Sequence, residues 1–150
     1  MTSRRDFLCA AAALGVASVI AVRPARATPA AMQEAITKVV GAARVTPGRV
    51  KLDLPPLSEN GHAVPLIVRV ESPMTEADHV KAVHVFTEKN PQPDVASFRF
   101  GPRAGRARVS TRIRLADTQT VVAVCELSDG SFCSGSATVI VTLAACLEEA

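Results

Sequence analysis

The stretch that decides the fold reads Arg106-Ala107-Arg108-Val109-Ser110-Thr111-Arg112-Ile113-Arg114-Leu115. Ala107, Val109, Thr111, Ile113 and Leu115 take every second position, and Arg106, Arg108, Ser110, Arg112 and Arg114 fill the gaps. Successive side chains of a β-strand point to opposite faces, so a period of two buries one set and solvates the other. A helix would scatter the same arginines around its circumference. The segment is therefore a half-buried strand with a basic outer face. Charges of that kind discourage edge-to-edge aggregation. With Arg103 nearby, they also form a surface suited to steering an acidic partner or an oxyanion.

The same period extends outward in both directions. Val50, Leu52 and Leu54 alternate with Arg49, Lys51 and Asp53, and Val64, Leu66, Val68 and Val70 alternate again. Further short runs lie at about 80–88, 94–100, 119–127 and 132–142, giving about seven strands. Pro55-Pro56, Asn60-Gly61, Ser72-Pro73, Asn90-Pro91, Gly101-Pro102 and Asp129-Gly130 punctuate them. Strands of this length and spacing predict an all-β protein, an immunoglobulin-like antiparallel β-sandwich over residues 47–150. One helix precedes it. Thr28 is placed to cap it and Pro29 to open it, and Met32, Ala35, Ile36, Val39, Val40 and Ala43 recur at helical steps. This amphipathic segment is expected to span 28–46, up to Pro47-Gly48.

Residues 1–27 read as an address. Arg4-Arg5 with Phe7-Leu8 close behind, an uncharged stretch from Cys9 to Val22, and Ala25-Arg26-Ala27 form an export signal of the twin-arginine type. The expected product starts near Thr28, lies in the periplasm, has no membrane span after cleavage, and keeps Cys125, Cys133 and Cys146. The whole chain of 150 residues, 48% of them apolar, has room for one core. A net charge of +3 with no Trp, no Tyr and five Phe offers few platforms on which bases stack, which argues against nucleic acid.

Chemistry-bearing patterns are sparse. His62, His79 and His84 are scattered, and the last two fall on opposite faces of any strand that holds both, so no metal site is expected. Without a Cys-x-x-Cys motif, a Gly-rich phosphate loop or a nucleophile elbow, a self-sufficient enzyme or a cofactor site is disfavoured. Cys125 and Cys133 both fall on the apolar face of their strands. A three-residue Ser128-Asp129-Gly130 loop sets them directly opposite each other, where either a disulfide or two buried thiols fits. Cys146 stands four residues from the end of the chain, where a terminus is seldom tied down.

Val80-Lys81-Ala82-Val83-His84-Val85-Phe86, Asn90-Pro91, Phe98, Gly101-Pro102, Val109 to Ala116, Ser128-Asp129-Gly130 and Val139-Ile140-Val141-Thr142-Leu143 before a tail cysteine together resemble the SoxY family of bacterial thiosulfate oxidation. The resemblance covers nearly the whole chain after the signal. It implies a periplasmic sulfur carrier, itself non-catalytic, that forms a heterodimer with the small sandwich protein SoxZ. It further implies service to a Sox c-type cytochrome, a sulfate thiohydrolase and a sulfur dehydrogenase, with Cys146 as the point of covalent sulfur attachment. SoxY tails typically read Gly-Gly-Cys-Gly-Gly, whereas this one reads Ala144-Ala145-Cys146-Leu147-Glu148. That departure keeps a second reading open: a SoxY-like binding module with the fold and partner but without the carrier chemistry. A redox enzyme using Cys125 and Cys133 is the third.

Overall fold

The computed structural model describes residues 27–143. Its helix, α1 (Pro29–Val40), begins as its residue types require. The Thr28 hydroxyl oxygen accepts from the Ala31 amide at 3.2 Å, and Pro29 sits at the first turn, where no amide donor is needed. Met32, Ile36 and Val40, spaced by four, are the buried stripe. The helix ends six residues earlier than the apolar spacing predicts. Gly41 adopts φ 65 and its amide reaches back to the Thr37 carbonyl at 2.8 Å, a glycine stop with Lys38 in the last turn. Ala43 is exposed, and Val45–Pro47 is strand instead of helix.

The strands are β1 (Val45–Pro47), β2 (Val50–Asp53), β3 (Leu57–Ser58), β4 (Val64–Val70), β5 (Val80–Thr87), β6 (Asp94–Arg99), β7 (Ala107–Ile113), β8 (Gln119–Leu127) and β9 (Phe132–Val141). Seven match the alternating runs, and β1 and β3 are additional. They form two sheets. The larger has the order β1-β9-β8-β5-β6, with β3 also on β9, and the smaller has the order β2-β4-β7. All pairings are antiparallel except those of β1 and β3. These two short strands run parallel to β9, against Phe132–Ser134 at its start and Ile140–Val141 at its end. Both cover the same otherwise open side of β9.

Two cores result. Leu66 and Val68 of β4, Val83 and Val85 of β5, Val121 and Cys125 of β8, Val139 of β9 and Leu115 fill the space between the sheets. On the other face of the large sheet, Met32, Ile36 and Val40 of α1 cover Phe86, Val124 and Phe132. The central strands β5 and β8 are thus apolar on both faces, which is why their sequences depart from clean alternation.

Where the sheets meet, β2 passes directly over β9 at Gly135. A Cβ there would collide with the Val50 carbonyl oxygen and lie 3.1 Å from Leu52 Cδ1. Backbone cannot yield as a flexible side chain can, so this position requires glycine. Gly135→Ala is expected to destabilise the protein by about 1–3 kcal/mol through overpacking. A lowered urea midpoint with an unchanged m-value would show it, and an unchanged midpoint would refute the close approach.

Candidate functional site

The hairpin between β8 and β9 determines where every later residue falls. Ser128, Asp129 and Gly130 form its loop: the Leu127 amide donates to the Ser131 carbonyl at 2.9 Å, and Gly130 supplies the positive φ of 81. Asp129 Oδ1 accepts from the Ser131 hydroxyl at 2.6 Å and the Ser131 amide at 2.9 Å. These bonds hold its carboxyl below the usual aspartate range. With this loop, Cys125 stands directly across from Cys133. Both are free thiols, 0% and 3% exposed. The bridge that the spacing left open is not formed. Hydrogen bonding to Cys133, followed by burial, pushes the Cys125 thiol far above the ordinary thiol range. A thiol that neither ionises nor meets solvent is a poor nucleophile.

The opposite end of β9 is firmly held. Ile140 donates to the Pro56 carbonyl at 2.9 Å, Thr142 to Ser58 at 3.1 Å, and Val141 to Thr118 Oγ1 at 3.0 Å. The Leu143 carbonyl accepts from Gly61 at 2.8 Å, and the Gly61 carbonyl accepts from Leu115 at 2.8 Å. The strand is therefore anchored to its last described residue, three positions before Cys146. Leu57, Ile140 and Leu143, the large apolar side chains exposed among the described residues, gather at this end. Leu57 and Ile140 are register partners.

The turn after β5 closes the same end. Asn90 is 7% exposed, and its side chain joins three segments. Nδ2 donates to the Arg114 carbonyl at 2.8 Å, while Oδ1 accepts from the Ala116 amide and from Gln119 Nε2, each at 2.9 Å. Gln119 Oε1 in turn accepts from the Lys89 amide at 2.8 Å. The sequence marks Asn90-Pro91 as a turn and gives no sign that the asparagine is buried. The one available signal is Gln119, a polar residue at an inward position of an otherwise apolar strand.

The histidines stay apart. His62 is exposed in a short turn, His79 Nδ1 meets the Thr75 carbonyl at 3.0 Å, and His84 Nδ1 meets Ser97 Oγ at 2.8 Å on the helix-bearing face. Among the described residues, no group of His, Cys, Asp or Glu is placed to hold a metal ion, and no helix is long and apolar enough to cross a membrane. Arg4, Arg5 and Cys146 lie outside the described residues.

A sandwich of two sheets backed by one helix is the class of protein that the fold defines. The sequence matches the family described as sulfur oxidation protein SoxY over residues 36–146, and the chain belongs to that family. The structure of the sulfur carrier protein SoxY from Chlorobium limicola f thiosulfatophilum superposes with a TM-score of 0.64 at 29% identity, covering 76% of this chain and 98% of that one. A superoxide reductase (neelaredoxin) from Ignicoccus hospitalis gives 0.56 at 16% identity over 77% of this chain and 94% of its own. The superoxide reductase from Nanoarchaeum equitans gives 0.53 at 11% over 64% and 100%. At such identities these two show the shared fold alone. No curated protein sequence matches the chain.

In the native protein, Cys125 and Cys133 are expected to react with iodoacetamide at least about a thousandfold more slowly than in denaturant, since only global opening exposes them. Peptide mapping after timed labelling measures this, and fast native labelling of either would contradict the buried register.

Proposed function

We infer that the protein is an exported, non-catalytic carrier that holds sulfur intermediates covalently on Cys146 in the periplasm, paired with a SoxZ-like sandwich protein. The observation that carries this reading is the family match, which runs to residue 146 and so includes the cysteine three positions beyond Leu143. The exposed Leu57, Ile140 and Leu143 beside that end suit a partner surface.

Attachment is an oxidation. Cys146 loses its thiol proton and its sulfur bonds to the outer sulfur of thiosulfate, giving Cys146-S-S-SO3⁻ and releasing two electrons to a c-type cytochrome. Water then cleaves the bond to the sulfonate group, which leaves as sulfate with the thiohydrolase as catalyst. The remaining sulfane sulfur is oxidised to a sulfonate by a sulfur dehydrogenase, which takes oxygen from three waters and passes six electrons to its own acceptor, and a second hydrolysis releases sulfate and restores the Cys146 thiol. The carrier supplies the attachment point and its presentation, and the partners supply the catalysis.

Thiosulfate given with the cytochrome and the SoxZ-like partner is expected to load Cys146 with a reductant-labile adduct, as a disulfide-type linkage requires. Cys146→Ser abolishes the adduct and leaves the unfolding free energy within about 0.5 kcal/mol, because exchanging one sulfur for an oxygen is among the smallest side-chain changes. Peptide mass mapping reads the result. If Cys146 stays a free thiol while a carrier ending in Gly-Gly-Cys-Gly-Gly is loaded in the same mixture, the binding-module reading replaces this one.

Replacing Arg4 and Arg5 by Lys is expected to stop export. Intact-mass analysis of the periplasmic fraction checks it: the natural chain should appear there shortened by its first 27 residues, and the variant should be absent.

A further inference from the structure

Besides the two- and three-residue strands β3 and β1, three strands have a neighbour on one side only, and they differ in how far they invite another. β2 is four residues long and runs into Pro55-Pro56. β6 carries a register shift opposite Val85 and Phe86, a distortion that blunts an edge. β7 is seven residues long, pairs with β4 in unbroken register from Val64↔Ile113 to Val70↔Ala107, and contains no proline. Its free side presents a regular row of amide and carbonyl groups.

The face beside that edge carries positive charge with little relief. Arg108 stands directly across from Arg69, and Arg69 directly across from Lys51, so three cations form one row across the small sheet. Like charges in that relation repel. Glu71 neutralises Lys51 at 2.7 Å and Asp53 approaches Arg69 at 3.6 Å, but among the described residues Arg103, Arg106, Arg108, Arg112 and Arg114 make no ion pair. Arg69, Arg106 and Arg108 border a shallow depression of about 430 Å³, and Arg112 borders a second of about 420 Å³ further along the same strand.

We propose that the β7 edge is a docking strand for an acidic, extended segment of a partner protein, which pairs with the β7 backbone and sets alternate carboxylates against Arg108 and Arg112. Strand addition supplies main-chain hydrogen bonds, and the two-residue period selects the sequence. A second copy of this chain does not fit. Antiparallel pairing of β7 with itself about Ser110 would set Arg108 against Arg112 twice. Position gives the edge a use: Gly61 bonds both Leu115, just past β7, and Leu143, just past β9. A protein seated on β7 is thereby brought to the base of the segment bearing Cys146. That destination rests on the carrier reading, whereas the binding itself does not require Cys146.

The probe is the blocked peptide acetyl-(Glu-Val)4-amide, titrated against the purified protein and its Cys146→Ser form by calorimetry, with the Lys-Val counterpart as control. The expected result is binding by both forms that weakens with added salt, with slowed amide exchange confined to β7. Arg108→Gln/Arg112→Gln is expected to weaken it about tenfold, from two surface ion pairs of about 0.7 kcal/mol each. Unchanged urea midpoints verify that the variant folds. The proposal is overturned by no binding, by equal binding of the Lys-Val peptide, by affinity indifferent to the double substitution, or by binding without protection of β7. Sedimentation showing a dimer that the same substitutions dissolve would overturn it as well. Loss of sulfur loading with peptide binding intact would count against the carrier alone.

Discussion

A three-residue loop between β8 and β9 fixes the register of the two strands that carry most of the large sheet, and the remaining features follow from that register. It turns Val121, Ala123, Cys125 and Leu127 inward together with Cys133, Val139 and Val141. A slip of one residue on β9 would send its inward set to the other face, at about 1.5–3 kcal/mol for each large apolar side chain lost from the core. The same slip would bring a side chain under the β2 backbone, where only Gly135 fits. Hydrophobic burial and a steric prohibition therefore favour one pairing, and the shared result positions the far end of β9 as well. Asp129 reinforces the loop with two bonds to Ser131, one of them to its backbone amide.

Polar groups close the opposite end of the sandwich. Asn90 and Gln119 are buried, and each remains hydrogen-bonded because the turn after β5 and the link from β7 to β8 present backbone groups at the right depth. Buried amides left unpaired would cost about 1–3 kcal/mol each. The arrangement is directional in a way that apolar packing is not, and it fixes the link between the sheets beside the anchored end of β9. Lys89 and Asp117 add an exposed ion pair at 3.0 Å across the same link, where solvent leaves it a small effect.

The strand pattern was legible where one face is wet and one is dry. β7 and β4 alternate cleanly, and their sequences state their orientation. The opposition of Cys125 and Cys133 was legible too, since only a three-residue loop keeps both on the apolar side. The end of α1 was misread because apolar spacing continues past Val40, although Gly41 carries the stop. β1 and β3 were missed for a different reason: three and two residues are too few to display a period, and their parallel pairing depends on β9, distant in sequence. Asn90 looked like ordinary turn chemistry. Depth is a property of the assembled sheets, and a single residue type does not encode it. Cys146 and the arginine pair near the start rest on motif and family alone, outside what the fold itself arranges.

Gly61 accepts from Leu115 and donates to Leu143, so one residue ties the chain just past β7 to the chain just past β9. The small sheet and the large sheet therefore share a clasp at this end that is made of backbone groups alone. A side-chain substitution cannot remove it, and a displacement of either strand end is passed to the other without any change in the cores between them.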